Sequence, residues 1–149
     1  MCFTIKVTTK HFSFSYAEEL YNPTKLKLAL TTAVKALTPC RDEFDSIVVR
    51  GVSGTTFGGA LSVRLRKPLF VVRKPSDKSH EGTNTLVTGD GQPKRWLFVD
   101  DLISSGQTFR ICKAVIGSGC VGYYLYSGPG KVVWDKWKKK AVKKRRRVG

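Results

Sequence analysis

The sequence has few of the residues on which metal and redox chemistry depend. Among its 149 residues there are only two histidines and four cysteines. The cysteines show no C-x-x-C spacing, and they are Cys2, Cys40, Cys112 and Cys120. Structural zinc needs clustered Cys and His ligands, so a zinc protein is not indicated, and a disulfide framework is not expected in a cytosolic chain. The cysteines are therefore interpreted as small buried hydrophobic residues.

Long hydrophobic runs are also absent. No apolar stretch approaches the roughly 20 residues of a membrane-spanning helix. The N-terminal residues MCFTIKVTTKHFSF lack the apolar core of a signal peptide. We therefore expect a cytoplasmic protein without membrane contact. The length, with 41% hydrophobic residues, predicts one globular domain with a single core.

Acidic residues are scarce, and the excess of positive charge is uneven. Eleven Asp and Glu stand against 27 Lys and Arg, which gives a net charge of +16. Residues 131–149 contain ten Lys or Arg and one acid, Asp135, so these 19 residues carry +9 and the other 130 carry +7. Such a segment fits a nucleic-acid-binding arm, which gains affinity by displacing counterions from phosphates, and equally a solvated tail. A protein whose ligands are polyphosphates would be basic as well.

Short strands alternate with helices along the chain. The runs FTIKV and HFSFSY predict a hairpin near the N-terminus. Four apolar or β-branched runs predict buried strands, and these are SIVVRG, PLFVVRK, RWLFVDD and VGYYLYSG. The order predicts an α/β fold with a parallel sheet flanked by helices and right-handed crossovers.

Helices are predicted between these strands and before them. Residues 22–40 predict a helix capped by Asn22, with Pro23 in its first turn and Pro39 at its end. Two further helices are predicted at 56–65 and 106–119. The 19 polar residues 75–93 predict a long loop with at most a weak hairpin, and loops of that length are usually functional or disordered.

Two adjacent aspartates follow the third buried strand, in the stretch FVDDLISSGQT. Carboxylates of Asp100 and Asp101 can accept hydrogen bonds from sugar hydroxyls or hold Mg²⁺ through its waters. Residues 104–108 lead into a helix, whose first amides are unpaired and electropositive and so bind phosphate. A phosphorylated sugar would use both groups. The structural alternative is a capped helix after a strand, with Asp101 or Ser104 as the N-cap.

The stretch WLFVDDLISSGQT, residues 96–108, resembles the 5-phosphoribosyl 1-pyrophosphate signature of the type I phosphoribosyltransferases. The order of elements from Asp45 to Tyr126 is also similar to that family's core. The resemblance implies that Asp100 and Asp101 hold the ribose hydroxyls, with Asp101 also taking part in catalysis. It implies a 5-phosphate loop made of Ser104, Ser105, Gly106, Gln107 and Thr108. Mg²⁺ would bind through the substrate, with Asp100 and Asp101 as its candidate protein contacts.

A second stretch, VVRGVSG at residues 48–54, ends the first buried strand with a turn of small residues. It is similar to the family's pyrophosphate loop. The residues implied in pyrophosphate binding are Arg50, Gly51, Val52, Ser53 and Gly54. The guanidinium and the backbone amides suit that role because both present N–H donors to an anion. The alternative is an ordinary turn between a strand and a helix.

A third stretch, RKPSDKSHEG at residues 73–82, is similar to the mobile catalytic loop of the orotate and adenine members. Breaking the bond from ribose C1 to pyrophosphate builds negative charge on the leaving group. Lys74, Lys78 and His80 could stabilise that charge, and His80 could protonate the leaving group. The alternative is a solvated loop with ordinary charges.

Taken together, these resemblances imply a single domain, 1–149, with a core at about 23–126. A hood over the nucleobase would come from about 1–22 and 127–137, followed by a basic tail at about 138–149. Aromatic residues in or beside the hood could stack on a base or belong to the core, and these are Phe12, Tyr16, Tyr126 and Trp134.

The implied activity is transfer of ribose 5-phosphate from 5-phosphoribosyl 1-pyrophosphate to a nucleobase, with release of pyrophosphate. Orotate or adenine is favoured over hypoxanthine or guanine, in nucleotide biosynthesis or salvage. A homodimer is implied because in orotate enzymes the catalytic loop serves the neighbouring subunit. The alternative function is a non-catalytic binder of the same sugar pyrophosphate that contacts nucleic acid through residues 131–149.

Overall fold

The structure, a computed structural model, describes residues 20–74, 86–101, 105–127 and 130–134. Its strands are β1 (Ser46–Arg50), β2 (Leu69–Val72), β3 (Val87–Thr88), β4 (Trp96–Asp100), β5 (Cys120–Leu125) and β6 (Lys131–Trp134). They form one sheet in the order β3-β2-β1-β4-β5-β6. The four inner strands are parallel, and β3 and β6 are antiparallel to their neighbours. The predicted parallel α/β fold is thereby confirmed.

Helices cover both faces of the sheet. The α-helices in the described ranges are α1 (Pro23–Leu37), α2 (Gly51–Leu65) and α3 (Gln107–Ile116). Helices α1 and α2 pack on one face around Phe57 and Leu61, and α3 packs on the other face around Trp96 and Phe98. None of these helices combines the length and the apolar character that a membrane crossing requires.

Helix α1 begins where the sequence predicted and ends earlier. The side chain of Asn22 accepts hydrogen bonds from Thr24 N at 3.0 Å and Lys25 N at 3.2 Å, so the predicted cap is confirmed. The α-helix ends at Leu37, and a 3-10 helix continues through Thr38–Glu43. Pro39 lies in the first turn of this 3-10 helix, where its missing N–H would have no partner, and therefore does not end the helical segment.

Helix α2 begins five residues before its predicted start, directly at the end of β1. Gly51 has a φ of +85°, a conformation that favours glycine, and it turns the chain from strand to helix without a loop. The small residues 51–54 are therefore the first turn of α2. What the sequence predicted as a pyrophosphate loop is in the structure a helix N-terminus.

Two edge strands differ from the sequence prediction. Residues 131–134, which were assigned to the hood, pair with β5 from Leu125 to Gly122, and Val132 is fully buried. They belong to the core sheet because they pair with β5 and Val132 lies in the hydrophobic core. Val87 and Thr88, from the predicted polar loop, pair with β2. The predicted N-terminal hairpin and residues 135–149 lie outside the described residues.

A glycine sets the distance between α2 and the sheet. A Cβ atom added at Gly58 would lie 2.5 Å from Val49 Cγ1 and 3.1 Å from Leu69 Cδ1. We expect Gly58→Ala to lower the free energy of unfolding by about 1–3 kcal/mol because the helix must move off the sheet. Urea unfolding followed by circular dichroism measures this change.

The neighbouring Gly59 supplies the matched control. A Cβ atom there meets nothing within 4 Å. Gly59→Ala is therefore expected to raise the free energy of unfolding by about 0.5–1 kcal/mol through its higher helix propensity. Equal stability of the two variants would contradict the close packing at Gly58.

Candidate functional site

The strand order of the sheet reverses between β1 and β4, and the carboxyl ends of these two strands mark that position. These strands are neighbours, but β1 continues through α2 to β2, whereas β4 continues through α3 to β5 on the opposite face. The diverging chains leave a crevice at such a position, which is where ligands bind in open α/β sheets. The two predicted binding segments, 50–54 and 100–108, begin at this crevice. The structure thus brings together residues that are 50 positions apart in the sequence.

The main chain of the acid pair is held by hydrogen bonds. Tyr126 N donates to Asp100 O at 3.0 Å, and Ser127 N donates to Asp101 O at 2.9 Å. Asp101 N donates to the Asp100 side chain at 2.8 Å. Both aspartates are half-buried. These bonds fix the main chain of both aspartates and the side chain of Asp100 at the carboxyl end of β4.

Asp100 has a perturbed acidity. The pKa of Asp100 is raised from 3.8 to about 7, chiefly by burial; the hydrogen bond from the Asp101 amide opposes this rise, and the Asp101 side chain adds to it. Near neutral pH Asp100 therefore exchanges its proton readily. A ligand that offers hydroxyl donors or a cation would favour the ionised form. Carboxyl groups perturbed in this way cluster at functional sites.

The raised pKa predicts a pH dependence of stability. Because the folded protein binds this proton more tightly than the unfolded chain, the contribution is fully present below pH 4 and is lost as the pH rises to 7. We expect Asp100→Asn, which mimics the protonated carboxyl, to be more stable than the native protein at pH 8. The gain should be about 1–2 kcal/mol, reduced by the partial exposure of the group, and should vanish near pH 4. Urea unfolding at both pH values tests this, and a gain that is the same at both would contradict the assignment.

The residues predicted to hold the 5-phosphate lie at the N-terminus of α3. Gly106 is the N-cap residue with a φ of +78°, and the Ser105 hydroxyl accepts a hydrogen bond from Gln107 N at 3.3 Å. Thr108 follows in the first turn and is half-buried, and Ser104 lies outside the described residues. The alternative that Asp101 or Ser104 is the N-cap is wrong, because Gly106 occupies that position. The acid pair is thus not used to cap the helix.

The sequence analysis did not predict that the positively charged side chain of Arg110 lies near this turn. Arg110 N donates to Gly106 O at 3.0 Å, and Arg110 Nη1 lies 3.8 Å from the position of a Cβ atom at Gly106. The guanidinium therefore folds back over the turn. The spacing of four residues on a helix could have indicated this contact, since side chains point towards the helix N-terminus.

Arg50 and the first turn of α2 lie on the other side of the crevice. The Nε atom of Arg50 is buried and makes no hydrogen bond within the described ranges. A buried cationic donor of this kind is costly without an acceptor, so it favours an anionic ligand. A Cβ atom at Gly54 would lie 4.0 Å from Val99 O, so the turn closely approaches the end of β4. Val52 is 75% exposed, and Ser53 is half-buried.

Of the three residues predicted for the catalytic loop, the structure describes only Lys74. Lys74 is exposed two residues beyond β2, at the same edge of the sheet as the crevice. Lys78 and His80 lie outside the described residues, so it stays a prediction that they act together with Lys74 in a catalytic loop.

The aromatic candidates for base stacking differ in where they lie. Tyr126 is only 2% exposed, and its ring stacks on Phe57 with centroids 4.2 Å apart, so it belongs to the core. Tyr21, which was not predicted, is 56% exposed, and its hydroxyl lies 3.5 Å from Thr56 Oγ1 on α2. Phe12 and Tyr16 lie outside the described residues.

The acid pair suits a divalent cation that arrives with a ligand. Within the described ranges no three His, Cys, Asp or Glu residues cluster as a metal site. Mg²⁺ commonly binds through one or two carboxylates together with substrate phosphates and waters, and Asp100 and Asp101 offer that donor set. Cys40 and Cys112 are buried, as predicted, whereas Cys120 is only half-buried. Burial raises the pKa of Cys112 to about 12, so its thiol is unreactive.

Two known proteins that resemble this chain in sequence are both named phosphoribosyltransferases. The chain is 34% identical to an adenine phosphoribosyltransferase of Rubrobacter xylanophilus over 61% of its length, and 32% identical to an orotate phosphoribosyltransferase of Methanospirillum hungatei over 69%. The matches cover 54% and 52% of those proteins. The chain therefore spans about half the length of the curated relatives it matches. No family model matches the chain.

Solved structures agree on the fold. Orotate phosphoribosyltransferase from Aeropyrum pernix superposes with a TM-score of 0.56 at 23% identity, covering 74% of this chain and 63% of that one. Adenine phosphoribosyltransferase from Thermoanaerobacter pseudethanolicus gives 0.53 at 22% identity, covering 70% and 69%. The chain has the fold of the type I phosphoribosyltransferases. In this phosphoribosyltransferase fold, the crevice between β1 and β4 lies between the two segments that carried the sequence resemblance.

Proposed function

We propose that the protein transfers ribose 5-phosphate from 5-phosphoribosyl 1-pyrophosphate to a nucleobase and releases pyrophosphate. Orotate and adenine are the favoured bases, which would place the reaction in nucleotide biosynthesis or salvage. The observation that carries the proposal is the meeting of acid and anion-binding groups at one crevice. Arg50 and the first turn of α2 lie at the carboxyl end of β1, beside the carboxyl end of β4 that carries the acid pair, and the N-terminus of α3 follows that pair.

Each group has a role that its chemistry supports. Asp100 and Asp101 would accept hydrogen bonds from the ribose hydroxyls, and Asp101 would also favour positive charge developing on the sugar. The amides of residues 105–108, with Arg110 and Ser104, would hold the 5-phosphate. Arg50 and the amides of 51–54 would hold the pyrophosphate. These contacts orient ribose C1 for attack by the base.

The leaving pyrophosphate requires positive charge and a proton. We assign these tasks to Lys74, Lys78 and His80, as the sequence resemblance implies. A homodimer, in which this loop serves the neighbouring subunit, is part of the proposal. So are a hood formed by residues 1–22 with the end of the chain, and a cytoplasmic location.

Mg²⁺ is the proposed metal. The carboxylates of Asp100 and Asp101 and the phosphate oxygens of the donor would hold it. When bound, the ion would neutralise charge on the pyrophosphate. A lower pKa of Asp100 in the presence of Mg²⁺ and donor would support this contact.

The proposal is tested by pyrophosphate release from the donor with orotate, adenine, hypoxanthine and guanine in turn. Turnover with orotate or adenine supports the enzyme, and the omission of Mg²⁺ should abolish it. Turnover with hypoxanthine or guanine alone would retain the reaction class and overturn the choice of base. No turnover with any base would overturn the catalytic proposal.

The charge of +9 on residues 131–149 favours a second candidate function, a non-catalytic binder of the sugar pyrophosphate that contacts nucleic acid. Its signature would be affinity for RNA or DNA that falls steeply with salt, because each phosphate contact releases counterions. Tight, salt-sensitive binding together with no turnover would favour this binder over the enzyme.

A further inference from the structure

A cavity of about 320 Å³ lies between α3 and the edge strand β3. Three elements contribute its apolar side chains, which are Phe70 of β2, Leu86 and Val87 at the start of β3, and Val115 and Ile116 in the last turn of α3. Helix α3 has ten residues and is about 15 Å long, so this turn lies far from its N-terminus at the crevice. Among the described residues proposed to contact the donor, none lines the cavity. The cavity is therefore separate from the crevice.

The segment after β3 forms one wall of the cavity. A Cβ atom at Gly89 would collide with the ring of Phe70, so glycine lets the main chain lie directly against that ring. Gly91 has a φ of +89°, a conformation that favours glycine, and Gln92 and Pro93 complete the wall. The two glycines therefore place main chain, rather than side chains, along the cavity.

The lining of the cavity carries no charge. None of its lining residues in the described ranges is acidic, basic or a histidine, although the chain has a net charge of +16. Moving a charged group from water into such a space costs free energy, because no opposite charge is there to compensate the lost hydration. Phosphates, nucleotides and the sugar pyrophosphate are therefore disfavoured as ligands of this cavity.

The cavity nevertheless offers hydrogen bonds and room for a ring system. Its polar groups are those of Gln92 and of the main chain, because the other lining side chains are apolar or absent. Within the described ranges, the main chain at Gly91 and Gln92 makes no hydrogen bond. Such groups can bind the polar edge of a heteroaromatic ring, while Phe70 and the aliphatic side chains contact its faces. An apolar cavity of about 150 Å³ accommodates one benzene ring, so the volume here suits two fused rings.

We infer that this cavity is a second binding site, whose ligand is an uncharged heteroaromatic compound with two fused rings. The volume sets the size of the ligand, the uncharged lining disfavours an ionised one, and the available main-chain groups favour a ring edge that forms hydrogen bonds. Small-molecule sites combine apolar walls with a few polar groups in this way. The inference does not depend on the proposed function, because the cavity shares no described residue with the crevice.

Benzimidazole is the probe, since it is a neutral fused ring with one donor and one acceptor nitrogen. Amide chemical shifts in an NMR titration of the native protein show where it binds. We expect the amides of residues 86–92, 115 and 116 to shift together, with a Kd on the order of 1 mM or below. Benzimidazole-5-carboxylate has the same ring and a negative charge, and it should bind there at least about 10-fold more weakly. Non-specific attraction to this basic protein would give the opposite order.

A variant that fills the cavity provides a second test. Val115→Phe should weaken benzimidazole binding at least about 10-fold. Val63→Phe is the matched control, because Val63 is 78% exposed on α2 and does not line the cavity, and it should leave the affinity unchanged. Circular dichroism checks that both variants fold.

Three results would overturn the inference. The first is a titration in which the amides of residues 86–92, 115 and 116 do not shift, and this result decides the matter even where Val115→Phe fails to fold. The second is a carboxylate that binds there as tightly as benzimidazole, and the third is native affinity in a folded Val115→Phe variant.

Discussion

Replacing both Asp100 and Asp101 by asparagine is expected to weaken binding of 5-phosphoribosyl 1-pyrophosphate by at least about 100-fold. The reason is the loss of the negative charge that accepts the ribose hydroxyls and attracts the metal ion. Asparagine has the same shape and can still accept the hydrogen bond from the Asp101 backbone amide. The fold should therefore persist. Calorimetry with Mg²⁺ present measures the affinity, and circular dichroism measures the fold.

The single variants sharpen this prediction. Asp100→Asn should lose donor affinity and also become more stable at pH 8, because its carboxyl is costly to ionise in the absence of ligand. A residue that lowers the stability of the free protein but is needed for ligand binding is typical of a functional site. Asp90→Asn is the control, since Asp90 is exposed beyond β3 and away from the crevice. Unchanged donor affinity in the double variant would contradict the assignment of the acid pair.

Replacing Lys78 by alanine is expected to lower turnover by about 100- to 1,000-fold and to change donor affinity by less than about 5-fold. The reason is that charge on the leaving pyrophosphate develops mainly in the transition state, so a group that stabilises it acts on kcat. Steady-state kinetics with the accepted base and calorimetry with the donor alone separate the two effects.

Lys94→Ala provides the control for this substitution. Lys94 is an exposed lysine next to β4 at the opposite edge of the sheet. It removes the same charge without approaching the crevice and should leave turnover unchanged. Equal losses of turnover and donor affinity in Lys78→Ala would mean that the loop only binds the donor.

The stretch FVDDLISSGQT shows what local sequence can determine. The apolar run predicts a buried strand because burial on both faces of a parallel sheet requires continuous hydrophobic residues. The glycine and hydroxyl residues after the two aspartates predict a turn into a helix. Both are local effects, so β4 and α3 appear where the sequence placed them. The fold class followed from the alternation of such segments.

The turn GVSG shows where local information ends. Glycine suits a loop and also suits a sharp entry into a helix, and its sequence neighbours do not distinguish the two. Packing against the sheet decides between a loop and a helix, because Gly54 and Gly58 let α2 lie close to β1 and to the end of β4. The helix therefore starts at Gly51, and the anion-binding amides are those of a helix N-terminus.

The sequence by itself determined the fold class, the order of elements and the kinds of groups available to a ligand, because these depend on residue type and short-range spacing. Only the tertiary structure decided that β1, which ends at Arg50, lies beside β4, which ends at Asp100. It also decided that Arg110 turns back over Gly106, that residues 131–134 complete the sheet, and that Tyr126 is hydrogen-bonded to Asp100 through its main chain and stacked on Phe57 of α2. These relations depend on which strands become neighbours, and strand pairing is set by the burial of the whole sheet between its helices.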